Sequence, residues 1–196
     1  MIIIIKSILA GAMIAVGAIV NLQVGGLLGP FLFAVGLLTV LEFELSLFTG
    51  KAGLLATKEI DMATLFYIWV GNFLGTALIA GLLLFVPMSY GLSETSSAIL
   101  TTRITNGIPA NFVLGIFCGL LMYIAVTTYR WTGNPIMAII PVAVFILSGY
   151  NHCVADMFYS HLATTGVKDY LHLIPTTLGN IVGCSAIPWA LKIAKH

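Results

Sequence analysis

The sequence Ser-Gly-Tyr-Asn-His-Cys-Val-Ala-Asp at residues 148–156 decides the fold, because it interrupts an apolar run that extends from residue 135 to residue 160. A second polar interruption, Ser-Leu-Phe-Thr-Gly-Lys, occupies residues 46–51 at the end of another apolar run. The two interruptions lie at matching distances after Pro30 and Pro135. Broken backbone at membrane depth occurs where it is buried in protein or lines a cavity, so the two breaks predict a site between two broken helices.

The composition excludes a soluble protein. Of the 196 residues, 60% are hydrophobic and 8% are charged, whereas about a quarter of the residues in soluble domains are charged. The length suits one domain, and we expect residues 1–196 to form a single transmembrane transporter domain. The three cysteines are odd in number and lie in apolar runs, so they predict buried free thiols and no disulfide framework.

Six apolar runs are each long enough to cross a bilayer, which requires about 20 residues of helix. They cover residues 2–22, 27–48, 62–86, 108–128, 135–160 and 170–193. Runs of this length predict helices, and therefore an all-α integral membrane protein with six transmembrane helices. The polar segment 87–107 is expected to be a connection. Little of the chain remains for a catalytic domain outside the membrane, which argues against an enzyme.

The basic residues predict the orientation, since cytoplasmic loops carry an excess of lysine and arginine. If the N terminus is cytoplasmic, Arg103 and Lys168 face outward and the other basic residues face the cytoplasm. Those others are Lys6, Lys51, Lys58, Arg130, Lys192 and Lys195. The sequence therefore predicts a multi-pass protein of the cell (inner or plasma) membrane with both termini in the cytoplasm.

Residues 1–86 and 108–196 share landmarks in the same order. Besides the two breaks, the third and sixth runs contain Gly-Asn-x-x-Gly at 71–75 and 179–183. When three spans are repeated in this way, the two copies enter the membrane from opposite sides. This predicts an inverted 3+3 repeat with a binding site near the midplane. Close packing of helices explains the glycines themselves.

His152 and Thr49 lie at matching positions in the two breaks and are the leading site residues. An ionisable side chain inside a membrane span indicates function, and a histidine changes charge near neutral pH, which suits proton exchange with a weak-acid anion. The alternative is a histidine that only ties broken backbone together. Thr49 can offer its hydroxyl to an anion or to the imidazole, although a lone membrane threonine commonly bonds a backbone carbonyl.

Three charged residues accompany the breaks. Asp156 lies about one helical turn after His152, where it can orient the imidazole, favour its charged form, or pair with a basic group. Arg103 precedes the fourth run and either attracts anions to an outer vestibule or is a solvated loop charge. Whether Lys51 lines a pore is open at this stage.

Residues 148–158, which end in Met-Phe, resemble the fifth-helix motif of the formate/nitrite transporter family, and Leu-Phe-Thr-Gly at 47–50 is similar to its second-helix loop. Both Gly-Asn-x-x-Gly elements also match. The resemblance covers nearly the whole chain and implies an aquaporin-like protomer with helices 2 and 5 broken, assembled as a homopentamer with one pore per protomer. It implies small monovalent anions such as formate, nitrite, lactate, acetate or hydrosulfide as substrates.

The resemblance also implies roles for individual residues. His152 and Thr49 would be the central pair of the pore, with proton transfer linked to the histidine. The implied constrictions are Phe33 with Phe145 on the outer side and Leu47 with Phe48 on the inner side.

Arg103, Asn151 and Asp156 form the electrostatic network that the resemblance implies, in an altered form. Arg103 falls where the family usually has a lysine, and arginine keeps its charge where a buried lysine can lose it. The family usually has a glutamate before the motif histidine and an asparagine four residues after it, whereas this chain has Asn151 and Asp156.

We therefore expect a channel or transporter for small monovalent anions, with the anion, protons and the lipid bilayer as partners and with no cofactor, metal or nucleic acid. A neutral-solute pore of the aquaporin type is an alternative, but its paired Asn-Pro-Ala signatures are missing. A remote alternative is an intramembrane hydrolase that uses Ser148 and His152. The sequence, however, lacks the G-x-S-x-G motif of serine hydrolases.

Overall fold

The computed structural model describes residues 1–163 and 166–194, in which the regular structure is entirely helical. The helices are α1 (Ile2–Val24), α2 (Leu28–Glu42), α3 (Phe48–Ala52), α4 (Leu54–Thr57), α5 (Met62–Leu83), α6 (Ser89–Thr132), α7 (Ile136–Leu147), α8 (Cys153–Leu162) and α9 (Leu173–Ile193), with a 3-10 segment, Val167–His172, before α9. The all-α prediction is confirmed. Lys195, one of the basic residues expected on the cytoplasmic side, lies outside the described residues.

Both predicted helix breaks are present. α2 ends at Glu42 and α3 begins at Phe48, while α7 ends at Leu147 and α8 begins at Cys153. The second break turns at Gly149, whose φ of 71° lies in the left-handed region that glycine adopts without strain. The residue just before each second half-helix has extended backbone, so neither pair of half-helices continues as one helix.

The side chain of Asn72, on α5, holds the first break open. Its Oδ1 accepts a hydrogen bond from the Phe48 amide at 2.8 Å. Its Nδ2 donates to the carbonyl oxygens of Ser7 at 2.7 Å and Ser46 at 2.9 Å. One buried amide group therefore satisfies backbone groups on both sides of the break, which would otherwise be unpaired away from water.

Asn180, on α9, does the same at the second break. Its Oδ1 accepts from the Cys153 amide at 2.9 Å, and its Nδ2 donates to the carbonyl oxygens of Gly115 at 2.8 Å and Asn151 at 2.9 Å. The contacts of the two asparagines correspond one to one. This correspondence supports the inverted repeat that the sequence predicts.

Glycines allow the helices around these asparagines to pack closely. α1 packs against α5, and α6 packs against α9. A Cβ atom on Gly75 would overlap the carbonyl oxygen of Ile8, and one on Gly183 would overlap that of Ile116. These glycines thus bring backbones together, as their spacing predicts.

The segment expected to be a polar connection, 87–107, is largely helical, and in this respect the prediction was wrong. α6 begins at Ser89 and passes through a kink at Gly107, where φ is 70° and ψ is −175°. The hydroxyls of Thr95, Ser97 and Thr101 each donate to the carbonyl four residues earlier. Polar side chains satisfied in this way are compatible with a helix, so a polar composition did not indicate a loop.

Among the residues that the structure describes, three helices, α1, α5 and α6, are long and apolar enough to cross a membrane, and α2 and α7 are shorter apolar helices. The two shorter helices are those that end at a break. The number of six crossings remains a prediction from the apolar runs.

Candidate functional site

The two breaks bring Thr49 and His152 together in the interior. Thr49 is the second residue of α3, and His152 is the residue that caps the N terminus of α8. The Thr49 Oγ1 and His152 Nε2 atoms are 2.9 Å apart, and the two residues are 1% and 2% exposed. A contact between residues so distant in sequence depends on both helix breaks.

The hydrogen bonds of the imidazole define its tautomer. The Ala155 amide donates to His152 Nδ1 at 3.2 Å, so Nδ1 carries a lone pair. In the neutral ring the hydrogen is therefore on Nε2, which donates it to Thr49 Oγ1. The Thr49 hydroxyl hydrogen remains available to donate to a further acceptor.

Two aromatic residues lie next to the imidazole. The rings of Phe33 and Phe145 meet edge to face, with centroids 6.0 Å apart. Phe145 also stacks on the His152 ring, with a centroid distance of 5.5 Å and an interplanar angle of 17°. Both phenylalanines are buried, and together with His152 they line the space on the Arg103 side.

A cavity of about 220 Å³ lies on that side. It reaches Phe33, Phe145 and His152. Its polar lining consists of Asn21, Thr102, Arg103, Tyr150, Asp156 and Tyr159. We call this cavity the vestibule.

Arg103 and Asp156 form an ion pair in this vestibule. Arg103 Nε lies 3.3 Å from Asp156 Oδ1, and the side chains are 12% and 1% exposed. Arg103 Nη1 also donates to the carbonyl oxygen of Gly149 at 3.3 Å. Of the alternatives left open by the sequence, Asp156 pairs with a basic group, and Arg103 is a largely buried helical residue rather than a solvated loop charge.

Asn111 connects this ion pair to Asn151. Its Nδ2 donates to the Arg103 carbonyl oxygen at 2.7 Å, and its Oδ1 accepts from Asn151 Nδ2 at 2.8 Å. The network implied for Arg103, Asn151 and Asp156 is thus assembled through a residue that sequence reasoning missed. A lone buried amide in the apolar run 108–128 was the available signal.

On the other side of the pair, Leu47 and Phe48 line different cavities. Leu47 is buried and lines a cavity of about 10 Å³, together with Gly50, Lys51 and Arg130. Phe48 lines a separate cavity of about 260 Å³ between α5 and α9. Lys51 therefore lines the same small cavity as Leu47.

Cys184 is a further residue that sequence reasoning missed. Its Sγ lies 3.2 Å from the carbonyl oxygen of Thr49 and 3.2 Å from that of Gly119, so it holds the Thr49 backbone against α6. All three cysteines are buried free thiols, as predicted. No pattern in the sequence distinguished Cys184 from the other two.

The geometry argues against the hydrolase alternative. Both ring nitrogens of His152 are engaged, one by Thr49 and the other by Ala155. Ser148 is exposed at the C-terminal end of α7. A nucleophilic serine needs a histidine nitrogen within hydrogen-bond reach as its base.

Comparisons with known proteins agree with this architecture. The formate channel FocA of Haemophilus influenzae is 29% identical over 197 residues, which cover 80% of this chain and 69% of that protein. The formate channel BtFdhC of Bacillus thuringiensis is 27% identical over 212 residues, which cover 89% of this chain and 79% of that protein.

Solved structures show the same fold. A pentameric formate channel with formate bound has a TM-score of 0.78 at 23% identity, covering 98% of this chain and 96% of that chain. An FNT family ion channel has a TM-score of 0.81 at 22% identity, covering 99% of this chain and 90% of that chain. The family model for formate/nitrite transporters matches residues 1–193. The chain therefore belongs to the formate/nitrite transporter family, whose members are channels and transporters rather than enzymes.

Proposed function

We propose that this chain forms a transmembrane pore for small monovalent weak-acid anions, with formate as the first candidate. Family membership and the formate channels among its relatives support this substrate class. The observation that carries the proposal is the Thr49–His152 hydrogen bond between two half-helices. It leaves one polar hydrogen available in an otherwise apolar constriction.

The proposed path begins in the vestibule beside Arg103 and passes between Phe33 and Phe145. The anion then accepts a hydrogen bond from the Thr49 hydroxyl near the N terminus of α8, whose dipole favours negative charge. It leaves past Leu47 into the small cavity beside Lys51. Apolar side chains on both sides of Thr49 favour anions with a single charge, because these lose less hydration energy than multiply charged anions.

We propose that proton exchange at His152 accompanies transport and carries a structural cost. Nε2 already holds a hydrogen, so a further proton binds only at Nδ1, where it displaces the bond from Ala155. The charged ring would also face the positive end of α8. Protonation of His152 should therefore be transient.

The chain is a multi-pass membrane protein, as a family member with several apolar helices. We propose that residues 1–196 form one domain of six crossings with an inverted repeat. We place it in the cell (inner or plasma) membrane with both termini in the cytoplasm. We further propose that the chain forms a homopentamer. A solved structure of the same fold, which is described as a pentameric formate channel, supports this assembly. Large exposed side chains such as Phe66, Ile108 and Leu178 suit a surface covered by lipid or by neighbouring copies.

Flux of formate and glycerol into proteoliposomes, measured from pH 5 to 8, tests the proposal. Formate should enter with a dependence on pH, and glycerol should be excluded. Thr49→Val keeps the shape but removes the hydroxyl, and loss of a hydrogen bond to a charged group should reduce formate flux about tenfold or more. His152→Ala should have at least as large an effect, while the control Ser148→Ala should retain flux. Equal, pH-insensitive entry of glycerol and formate would refute the proposal.

A further inference from the structure

A second cavity, of about 540 Å³, lies between α6 and the segment that contains the 3-10 turn and the start of α9. We call it the lateral groove. Arg103 lines both this groove and the vestibule, and the rest of the lining differs. Ile108 and Leu178, in the walls of the groove, are 73% and 51% exposed. The groove is therefore open to the surroundings of the protomer, which for a membrane protein include lipid.

The walls of the groove are apolar. Ile108 and Phe112 lie four residues apart on α6, and Ile174 and Leu178 lie four residues apart on α9. Side chains at this spacing share one face of a helix. Each helix therefore contributes an apolar row to the groove.

The two rows run in the same direction. A Cβ atom on Gly115 would overlap the carbonyl oxygen of Thr176, and one on Gly119 would overlap that of Asn180. Later residues of α6 thus meet later residues of α9, so the two helices are parallel. The N-terminal ends of both rows consequently lie at the same end of the groove.

This N-terminal end is positively charged. Arg103 precedes the apolar row of α6, Lys168 precedes that of α9, and both line the groove. No carboxylate of the described residues lines it. Arg103 donates one N–H group to Asp156 and another to Gly149, which leaves further guanidinium N–H groups. These groups and the exposed Lys168 can bind an anionic group.

His172 adds a buried acceptor to the same groove. It lines the groove and is 6% exposed. Its Nδ1 lies 2.5 Å from the carbonyl oxygen of Asp169, so Nδ1 donates its hydrogen and Nε2 of the neutral ring carries a lone pair. Nε2 is buried and has no hydrogen-bond partner among the described residues. A ligand with a donor hydrogen would remove the cost of this unpaired acceptor.

We propose that the lateral groove binds an anionic phospholipid whose headgroup carries a hydroxyl, as that of phosphatidylglycerol does. The phosphate lies between Arg103 and Lys168, the hydroxyl donates to His172 Nε2, and an acyl chain lies between the two apolar rows. Phosphatidylcholine fits poorly, because its choline balances the phosphate charge and offers no donor. The proposal does not depend on which solute the pore carries.

Native mass spectrometry of the purified oligomer, titrated with three lipids, tests the proposal on the wild-type chain. The lipids are phosphatidylglycerol, phosphatidylmethanol, which has the same charge without the hydroxyl, and phosphatidylcholine. Affinity should fall in this order, by about fivefold for the hydroxyl and about fivefold or more for the charge. Equal affinity for the three lipids would overturn the proposal.

Variants locate the site. Lys168→Gln should weaken phosphatidylglycerol binding about fivefold. Lys58→Gln is the matched control, because it removes the same charge from an exposed residue outside the groove, and it should bind like the wild type. His172→Asn keeps a donor for the Asp169 carbonyl but removes Nε2, so it should no longer distinguish phosphatidylglycerol from phosphatidylmethanol.

Two results with the variants would overturn the proposal. One is equal phosphatidylglycerol affinity in Lys168→Gln and Lys58→Gln. The other is dissociation of the Lys168→Gln oligomer with lipid affinity unchanged, which would assign the groove to a neighbouring copy of the chain.

Discussion

Replacing Asn180 by alanine should weaken the fold and disturb the site together. The side chain makes three buried hydrogen bonds, with Cys153, Gly115 and Asn151, and two of these partners flank His152. A buried hydrogen bond contributes about 1 kcal/mol in soluble proteins and about 0.6 kcal/mol on average between membrane helices. Three such bonds predict a loss of about 2–3 kcal/mol in the free energy of unfolding.

Unfolding by SDS in mixed micelles, followed by circular dichroism, measures this loss. Formate flux into proteoliposomes, measured in parallel, should fall because His152 is no longer held between two anchored peptide groups. Asn72→Ala is the matched comparison, since it removes three corresponding bonds at the other break. The reasoning fails if Asn180→Ala stays within about 0.5 kcal/mol of the wild type and conducts formate normally.

Two further predictions concern packing and a helix cap. Gly183→Ala should destabilise the protein by about 1–3 kcal/mol, because its Cβ would overlap the Ile116 carbonyl. Gly81→Ala meets open space and should be neutral or stabilising. Equal unfolding curves for the two variants would contradict this prediction. Asp61 caps α5 by accepting from the Thr64 amide at 2.7 Å, and the Thr64 hydrogen bonds lower the pKa of its carboxyl. The stabilisation by Asp61 should therefore be fully present at neutral pH and be lost as the pH falls through this lowered pKa. Below about pH 4, the thermal unfolding temperature of Asp61→Asn should then depend less on pH than that of the wild type.

The polar segment before α6 illustrates why sequence reasoning failed in part. A run rich in serine and threonine resembles a loop when only composition is considered. The hydroxyls of Thr95, Ser97 and Thr101 bond to carbonyls of their own helix, which the sequence does not reveal. As a result, Arg103 lies on a helix that reaches Asp156. From the sequence alone, the ion pair between Arg103 and Asp156 was only one of several alternatives.

The inner constriction illustrates a second limit. Leu47 and Phe48 are neighbours in sequence, and the family resemblance treats them as a pair. Adjacent residues at the start of a helix point in different directions, and Phe48 faces the space between α5 and α9. Sequence adjacency therefore did not determine which cavity each of the two residues lines.

The sequence alone determined a helical membrane protein with two breaks, because apolar runs of spanning length and polar interruptions within them are local properties of the chain. It also placed Thr49 and His152 at those breaks. Only the tertiary structure decided which tautomer His152 adopts, that Asn72 and Asn180 hold the breaks, and that Asp156 rather than solvent neutralises Arg103. These features depend on donors and acceptors supplied by helices far apart in the chain, and such partners are chosen by packing.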